Sequence, residues 1–206
     1  MSEVKKLLCE GAKTMDVSLS DEQVRKLLDY HALINKWNKV YNLSAIREPL
    51  ESIKKHFLDS FSILDFIQSG LLLDVGSGAG LPGIIIAIMK PKTNVFVIDS
   101  VGKKCRFMQT VKTELGLENL TVINDRVESF NYPESFSQIT SRAFASAIDT
   151  VNKTKHLISN DGRYLLMKGD NIAQENIENI ENMKSTVHIL KVPFVSDNRS
   201  LLEIKI

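Results

Sequence analysis

A glycine-rich stretch between two apolar runs combines the residue types of a ligand-binding loop. Leu71–Leu73 lead into Asp74, and glycines stand at 76, 78, 80 and 83 before the apolar run Ile84–Met89. This order predicts a strand, a glycine loop and a helix, in which main-chain N–H groups and the helix N-terminus approach a nucleotide-like ligand closely. A plain turn between strand and helix is the alternative. Four glycines within eight residues, after an acid-tipped strand, favour ligand binding.

The glycine spacing fits two registers, and each predicts a different cofactor. Read from Gly78, the pattern Gly-x-Gly-x-x-Gly is the dinucleotide fingerprint, with Asp99 about 20 residues later as a ribose-binding carboxylate. An NAD(P)-dependent oxidoreductase is therefore one hypothesis, although we find no catalytic dyad for it. Read from Asp74 and Gly76, an acid-tipped strand running into Gly-x-Gly-x-Gly is typical of S-adenosylmethionine sites in Rossmann-like methyltransferases. The second register fits better, because it accounts for the acid.

The methyltransferase register predicts where the methyl donor binds. The glycine loop would hold the methionine end, and the residues after the next strand would hold the ribose hydroxyls. The residues concerned are Asp74, Gly76, Ser77, Gly78, Asp99 and Ser100. Asp99 could instead cap the following helix without touching a ligand.

These residues need a parallel sheet to position them. From Leu71 onward, short apolar runs alternate with amphipathic segments, which predicts a sheet covered by helices on both faces. The predicted strands are 71–75, 95–99, 120–124, 138–141, 162–168, 186–192 and 199–206. No helical pattern separates the last two, so we expect them to form an antiparallel addition at one edge. The fold class is a Rossmann-like α/β methyltransferase domain with a mostly parallel seven-stranded sheet.

The first part of the chain is predicted to be helical. Ser20–Gln23 form a capping box, and the apolar residues that follow recur every three or four positions. A second helix follows Pro49. We expect residues 1–67 to form an extension packed on the main domain at 68–206, with His31 as a core histidine. His56 lies beside two lysines. It could lie at an edge near a substrate or have a structural role, and the sequence supports the two equally.

Composition limits the possible partners. The net charge is +1, so contact with nucleic acid must come from a local patch. Residues 90–112 carry six basic residues and one acidic residue, which fits either an RNA-facing patch or an ordinary solvated helix face. Arg126 and Lys168 would extend such a patch around the crevice, and Phe144, His56 and Tyr41 are candidates for stacking on a base.

The remaining composition predicts a simple cytosolic protein. Cys9 and Cys105 are isolated and fit neither a disulfide framework nor a zinc site. No apolar run reaches the roughly 18 to 20 residues of a membrane span, and the N-terminus lacks the apolar core of a signal peptide. We therefore expect a cytoplasmic, membrane-free monomer, and no metal because carboxylates at ligand spacing are absent from the sequence.

Several motifs, in order from about residue 20 to the C-terminus, resemble the GidB (RsmG) family. They are Trp37–Leu43, His56–Ser60, Asp74–Ile84, Asp99–Lys104, Arg126–Glu128, Ser141–Ala145 and Lys168–Gly169. Members of that family are bacterial methyltransferases that form 7-methylguanosine in 16S ribosomal RNA. The resemblance implies that Gly76, Leu81, Val127, Glu128 and Arg142 contact S-adenosylmethionine, with Val127–Glu128 beside the adenine. It also implies small-subunit RNA or the 30S particle as the partner.

The residues themselves leave alternatives at two of these positions. Val127–Glu128 follow the third strand and could form an ordinary surface loop. Arg142 ends the fourth strand, where it could bind a carboxylate, a phosphate or a base, or form an ion pair with Glu128 or Asp99. The residues predicted to contact RNA are His56, Lys103, Lys104, Arg106, Arg126 and Lys168.

Methylation of guanine at N7 explains why the sequence offers no general base. N7 carries an in-plane lone pair and no proton, so the enzyme need only align the reacting atoms. Arg142 is accordingly the only residue predicted to be catalytic. Cys105 lies far from the position of a cytosine-methylating cysteine, and Asn131–Glu134 do not match the signature of amino-group methylation. A ribosome-associated RNA-binding protein without activity is the third hypothesis.

Overall fold

The computed structural model describes residues 2–170, 172, 175 and 183–206. Seven strands form one sheet: β1 (Gly70–Val75), β2 (Thr93–Ile98), β3 (Leu120–Ile123), β4 (Phe136–Arg142), β5 (Ile158–Lys168), β6 (Lys184–Leu190) and β7 (Arg199–Lys205). The described helices are α1 (Glu3–Thr14), α2 (Asp21–Tyr41), α3 (Pro49–Ser52), α4 (Asp59–Phe61), α5 (Gly83–Met89), α6 (Gly102–Leu115) and α7 (Ala147–Thr154). None of them is long and apolar enough to cross a membrane.

The strand order creates a crevice at the centre of the sheet. The order is β3-β2-β1-β4-β5-β7-β6. Strands β1 to β5 are parallel, whereas β7 runs antiparallel to both β5 and β6. The predicted fold class and the antiparallel addition are confirmed. The chain moves away from β1 in one direction through β2 and in the other through β4, and ligands bind at such a switch point.

Both faces of the sheet are buried, which explains the continuous apolar runs of the strands. Leu72 and Val97 belong to a cluster that includes residues of α1, α2, α5 and α6. Leu73 and Ile98, one position further along each strand, belong to a second cluster with residues of α7. Because the N-terminal helices share the first cluster with the sheet, they pack on it as expected. A division of the chain at 67/68 stays a prediction.

The capping box of α2 is present. Ser20 Oγ accepts from Gln23 N–H at 3.2 Å, and Gln23 Oε1 accepts from Ser20 N–H at 2.9 Å. His31 is a buried core residue whose Nε2 lies 3.1 Å from the Pro49 carbonyl, as predicted. Burial lowers the pKa of His31.

The helix after Pro49 has a wider turn than its apolar spacing predicts. It continues from α3 into a π-helix at Ile53–Leu58 and then into α4. Ile53, Phe57 and Phe61 are still buried. π-helical turns are rare and often occur at functional sites. Here the turn brings His56 and Asp59 towards the end of β4.

Tyr30 connects α2 to the glycine loop. Its buried hydroxyl donates a hydrogen bond of 2.6 Å to the carbonyl of Ala79. Its ring lies 5.5 Å from Phe57 and 6.4 Å from Phe107, measured between centroids. The sequence contained a signal for this residue, since Tyr30 follows Leu27 by three positions on the buried face of the helix.

Replacing Tyr30 by phenylalanine removes this hydrogen bond and leaves a buried carbonyl without its donor. We expect Tyr30→Phe to lower the free energy of unfolding by about 1 to 3 kcal/mol. Urea denaturation measures the change. The control is Tyr41→Phe near the exposed end of the same helix, where the side chain is 37% exposed and the expected change is below about 0.5 kcal/mol. Equal effects of the two substitutions would contradict the role of the bond.

Candidate active site

A cavity of about 300 Å³ opens where the parallel strands end. We call it the glycine-loop cavity. It is lined by the segments that follow four strands: Gly76 after β1, Asp99–Val101 after β2, Asp125–Glu128 after β3, and Ala143–Phe144 after β4. Lys104 and Lys153 complete the wall. The ends of the four strands therefore bring together residues up to 68 positions apart in the chain, from Gly76 to Phe144.

Three glycines of the loop, at 76, 78 and 80, have a positive φ that favours glycine. Gly76 has φ 65° and Gly78 has φ 61°. A Cβ at Gly76 would lie 2.4 Å from Cδ2 of Phe144, so the aromatic ring lies directly against the glycine. Only a residue without a side chain fits at this point of the cavity wall.

Asp99 joins the glycine loop to the segment after β2. Its Oδ2 accepts from Gly78 N–H at 3.0 Å and lies 3.4 Å from Lys104 Nζ. Its Oδ1 accepts from Val101 N–H at 2.9 Å. The alternative role of Asp99 as a helix cap is wrong, because the N-cap residue of α6 is Val101. Asp99 lines the cavity, and its carboxylate has about four acceptor positions, of which these contacts use three.

Asp74, Ser77 and Leu81 are buried within the loop and do not line the cavity. Asp74 Oδ2 accepts from Gly83 N–H at 2.9 Å, and Ser77 Oγ donates to the Asp74 carbonyl at 2.7 Å. Burial raises the pKa of Asp74 to about 7. The side chain of Leu81 lies in the apolar core, so contact of Leu81 with a donor has to come from its main chain.

Val127 and Glu128 both line the cavity. Val127 is buried, whereas Glu128 is exposed and forms an ion pair of 3.1 Å with Lys153. A hydrogen bond from its own main-chain N–H, together with the pairing with Lys153, lowers the pKa of Glu128. Lys153 also lies 5.5 Å above the ring of Phe144. The sequence contained no signal for Lys153, because this residue of α7 belongs to none of the motifs identified there.

Arg142 lies in a second cavity of about 500 Å³, which we call the Arg142 cavity. Its Nη1 donates to Asp59 Oδ2 at 2.9 Å and to the Lys55 carbonyl at 3.0 Å. Arg142 therefore forms its ion pair with Asp59. The sequence had suggested Glu128 or Asp99 as the partner, and neither of them is. Asp59 Oδ1 also accepts from Arg199 Nε at 2.9 Å.

His56 is buried beside Arg142. Its Nδ1 lies 3.3 Å from Arg142 Nη2, and its Nε2 lies 2.7 Å from Ser44 Oγ. Burial, reinforced by the Arg142 charge, lowers the pKa of His56 to about 4. The imidazole is consequently neutral at physiological pH, and the structural half of its predicted role is observed.

The other residues predicted to contact RNA occupy three places. Lys168 lines the Arg142 cavity, where it donates to the Ala145 carbonyl and pairs with Glu175. Lys104 and Arg126 line the glycine-loop cavity. Lys103 and Arg106 are exposed on α6. Among the residues that the structure describes, no group of three His, Cys, Asp or Glu could hold a metal ion.

Comparison with known families decides what kind of protein carries this site. Residues 23–202 match the model of the GidB family, described as rRNA small subunit methyltransferase G. The chain belongs to this family. It is 50% identical over 196 residues to Ribosomal RNA small subunit methyltransferase G of Ruthia magnifica, covering 95% of both chains. The protein of the same name from Pseudomonas fluorescens is 46% identical, over 95% of this chain and 92% of its own.

Solved structures show the same fold in more distant proteins. A SAM-dependent methyltransferase from Aquifex aeolicus is similar with a TM-score of 0.61 at 13% identity, over 76% of this chain and 93% of that chain. An rRNA methylase from Streptococcus thermophilus is similar with a TM-score of 0.54, also at 13% identity, over 72% of this chain and 93% of its own. Family and fold together confirm that this GidB family member is a methyltransferase with S-adenosylmethionine as donor.

The glycine-loop cavity fits this donor. The bare backbone of Gly76 lets the Phe144 ring pack directly against it as part of the cavity wall, and Asp99 lines the same cavity. Apolar and acceptor groups at Val127 and Glu128 suit an adenine ring with its exocyclic amine.

Substitution of Gly76 tests the cavity wall. We expect Gly76→Ala to weaken binding of S-adenosylhomocysteine by at least about tenfold, because the new methyl group displaces Phe144 into the cavity. Isothermal calorimetry measures the affinity. Gly116→Ala is the matched control: its φ of 61° is close to the 65° of Gly76, but a Cβ there meets nothing within 4 Å. Both variants lose about 1 kcal/mol of stability from the backbone strain. Unchanged affinity in Gly76→Ala would place the donor elsewhere.

Protonation of His56 should make stability depend on pH. The unfolded histidine binds a proton below about pH 6.5, whereas the folded one does so only below about pH 4. The unfolded state therefore binds more protons between these values, and this part of the stability is lost as pH falls from 6.5 towards 4. The free energy of unfolding is measured by urea denaturation for wild type and His56→Gln. The wild-type value minus the variant value should be about 2 kcal/mol larger at pH 7 than at pH 5. A difference independent of pH would contradict the buried neutral state.

Proposed function

We propose that this chain transfers a methyl group from S-adenosylmethionine to N7 of a guanosine in small-subunit (16S) ribosomal RNA. The observation that carries the proposal is the glycine-loop cavity at the ends of four parallel strands, in a chain that belongs to the rRNA small subunit methyltransferase G family. The family supports methyl transfer and a ribosomal RNA substrate. The choice of N7 is what the resemblance to the GidB family implies, and it is consistent with a site that needs no general base.

The chain would hold the donor through three segments. The main chain at Gly76–Gly78 would bind the methionine end, with Asp74 keeping the loop in shape. Asp99 and Ser100 would bind the ribose hydroxyls, since a carboxylate has about four acceptor positions and Asp99 uses only some of them. Val127–Glu128 would lie beside the adenine.

The proposed reaction needs no proton transfer. The lone pair of N7 forms the new N–CH₃ bond, the C–S bond breaks with its electron pair going to sulfur, and the positive charge moves to the guanine ring. The donor supplies an activated methyl group on a sulfonium centre. The chain supplies alignment and a fixed electrostatic environment. His56, which is neutral and buried, is not required as a base.

Exposed cations outside the cavities would position the RNA. Lys103 and Arg106 on α6 and Arg126 beside the glycine-loop cavity are exposed. Such residues contact phosphates without reading sequence. Both cavities are complete within one chain, which supports a monomer, and a ribosomal substrate supports a cytoplasmic protein. The substrate is 16S RNA either free or within the 30S particle.

Transfer of labelled methyl groups tests the function. We expect micromolar binding of S-adenosylhomocysteine, no binding of NAD, and incorporation of label at a guanine N7 of 16S RNA or 30S particles from cells that lack the gene. Arg142→Ala should reduce transfer by about 100-fold or more, because it removes an oriented donor from the reaction site.

Arg163→Ala is the matched control. Arg163 also forms a buried ion pair, 3.0 Å from Glu203, but it lies outside both cavities. Its loss should lower stability and leave transfer within about threefold of wild type. NAD binding without binding of S-adenosylhomocysteine, or donor binding with no transfer to either RNA substrate, would overturn the proposed function.

A further inference from the structure

The two cavities lie on opposite sides of one residue. Ala143 lines both of them, whereas Arg142 lines only the Arg142 cavity and Phe144 only the glycine-loop cavity. Ala143 has a left-handed backbone, with φ 53°. The turn sends the two flanking side chains to different sides. A group in the Arg142 cavity is therefore separated from the donor cavity by the small side chain of Ala143.

We propose that the Arg142 cavity receives the acceptor guanine as a single base turned out of its RNA helix, with N7 facing the donor across Ala143. This rests on the proposed function, because the same reaction needs a donor in the glycine-loop cavity. It adds where and in what form the acceptor binds.

The lining of the cavity suits a flat, uncharged ring. Ala45, Ile46 and Met167 supply apolar surface, and Arg142 and Lys168 supply hydrogen-bond donors at one side. Each cation at the cavity already has a carboxylate partner: Arg142 and Arg199 pair with Asp59, Lys168 with Glu175, and Lys55 with Asp197. A phosphate would have to compete with these carboxylates, whereas a neutral base does not. The charge balance favours a base over the RNA backbone.

The donors of Arg142 distinguish guanine from adenine. Both hydrogens of Nη1 are used by Asp59 and the Lys55 carbonyl, and Nη2 faces His56 with one of its two hydrogens. Nε and the other Nη2 hydrogen have no hydrogen-bond partner among the described residues. Guanine offers O6 as an acceptor on the edge that carries N7, whereas adenine presents an amino group there. Bonding to O6 leaves the N7 lone pair free to react.

The depth of the site requires an unpaired base. The Arg142 side chain is only 20% exposed and His56 only 7% exposed. A base stacked and paired in a duplex cannot bring its edge to groups buried to this degree, so enzymes that modify bases turn them out of the stack. Asp59, held between Arg142 and Arg199, fixes the guanidinium before the base arrives and is a positioning residue.

A bulky side chain at the cavity mouth tests the inference. Ala45 is exposed and lines the Arg142 cavity, so Ala45→Trp should block entry of the base without disturbing the core. The matched control is Ser69→Trp, at an exposed position beside the start of β1, at the opposite end of the sheet. Two quantities are measured for each variant: the Kd of S-adenosylhomocysteine by calorimetry, and kcat/KM for methyl transfer to 16S RNA or 30S particles.

We expect Ala45→Trp to keep the Kd within twofold of wild type and to lose at least about 50-fold in kcat/KM, while Ser69→Trp changes neither. The Kd also reports folding of each variant. Ala45→Phe, with a smaller ring, should show an intermediate loss. Wild-type kcat/KM in Ala45→Trp would overturn the acceptor site and leave the proposed function intact. Absence of transfer by the wild type would instead overturn the proposed function.

Base extrusion has its own readout. RNA with 2-aminopurine beside the modified guanosine should gain fluorescence when wild type binds, because the probe loses its stacked neighbour. Binding of Ala45→Trp should give less than half of that gain. Binding of wild type without any gain would overturn the extruded base.

Discussion

The hydrogen bond from Gly83 N–H to the buried carboxylate of Asp74 is the constraint on which the rest of the site depends. Asp74 lies one residue before the end of β1, and Gly83 begins α5 nine residues after Asp74, so the bond closes the glycine loop onto its own strand. Burial of the carboxyl group is unfavourable for its charged form, which is why the pKa of Asp74 is raised. With the loop closed, Gly76 lines the cavity, and Gly78 N–H donates to the Asp99 carboxylate.

The backbone at the end of β4 is a second constraint on the site. Three consecutive residues point to different surroundings, because the backbone at Ala143 is left-handed. Phe144 lies against Gly76 and closes one cavity, while Arg142 lies in the other. Arg142 is held there by Lys55 and His56 of the π-helix and by Asp59 of α4. The N-terminal helices thus contribute directly to the site. They are part of the active structure, and their apolar faces share a core with the sheet.

Local patterns in the sequence predicted most of the fold. The capping box at Ser20, the strands and the glycine loop were predictable because each depends on residues a few positions apart, and the two-sided burial of the sheet follows from its apolar runs. Contacts between distant residues were not predictable in this way. Asp59, the partner of Arg142, lies 83 residues earlier in the chain, and no local sequence pattern around either residue predicts their contact.

The direction of the side chains in the loops was also not predictable from the sequence. Asp74, Ser77 and Leu81 belong to the glycine motif, yet their side chains face the protein interior, and the motif alone does not distinguish a residue that shapes a loop from one that touches a ligand. The bond from Tyr30 to Ala79 has a further consequence. Because α2 is hydrogen-bonded to the loop at which we propose that the donor binds, docking of the helix and occupancy of the cavity would be thermodynamically linked. If docking of α2 favours donor binding by a given free energy, donor binding favours docking of α2 by the same amount. The N-terminal part of the chain would then be most stable when the donor is bound.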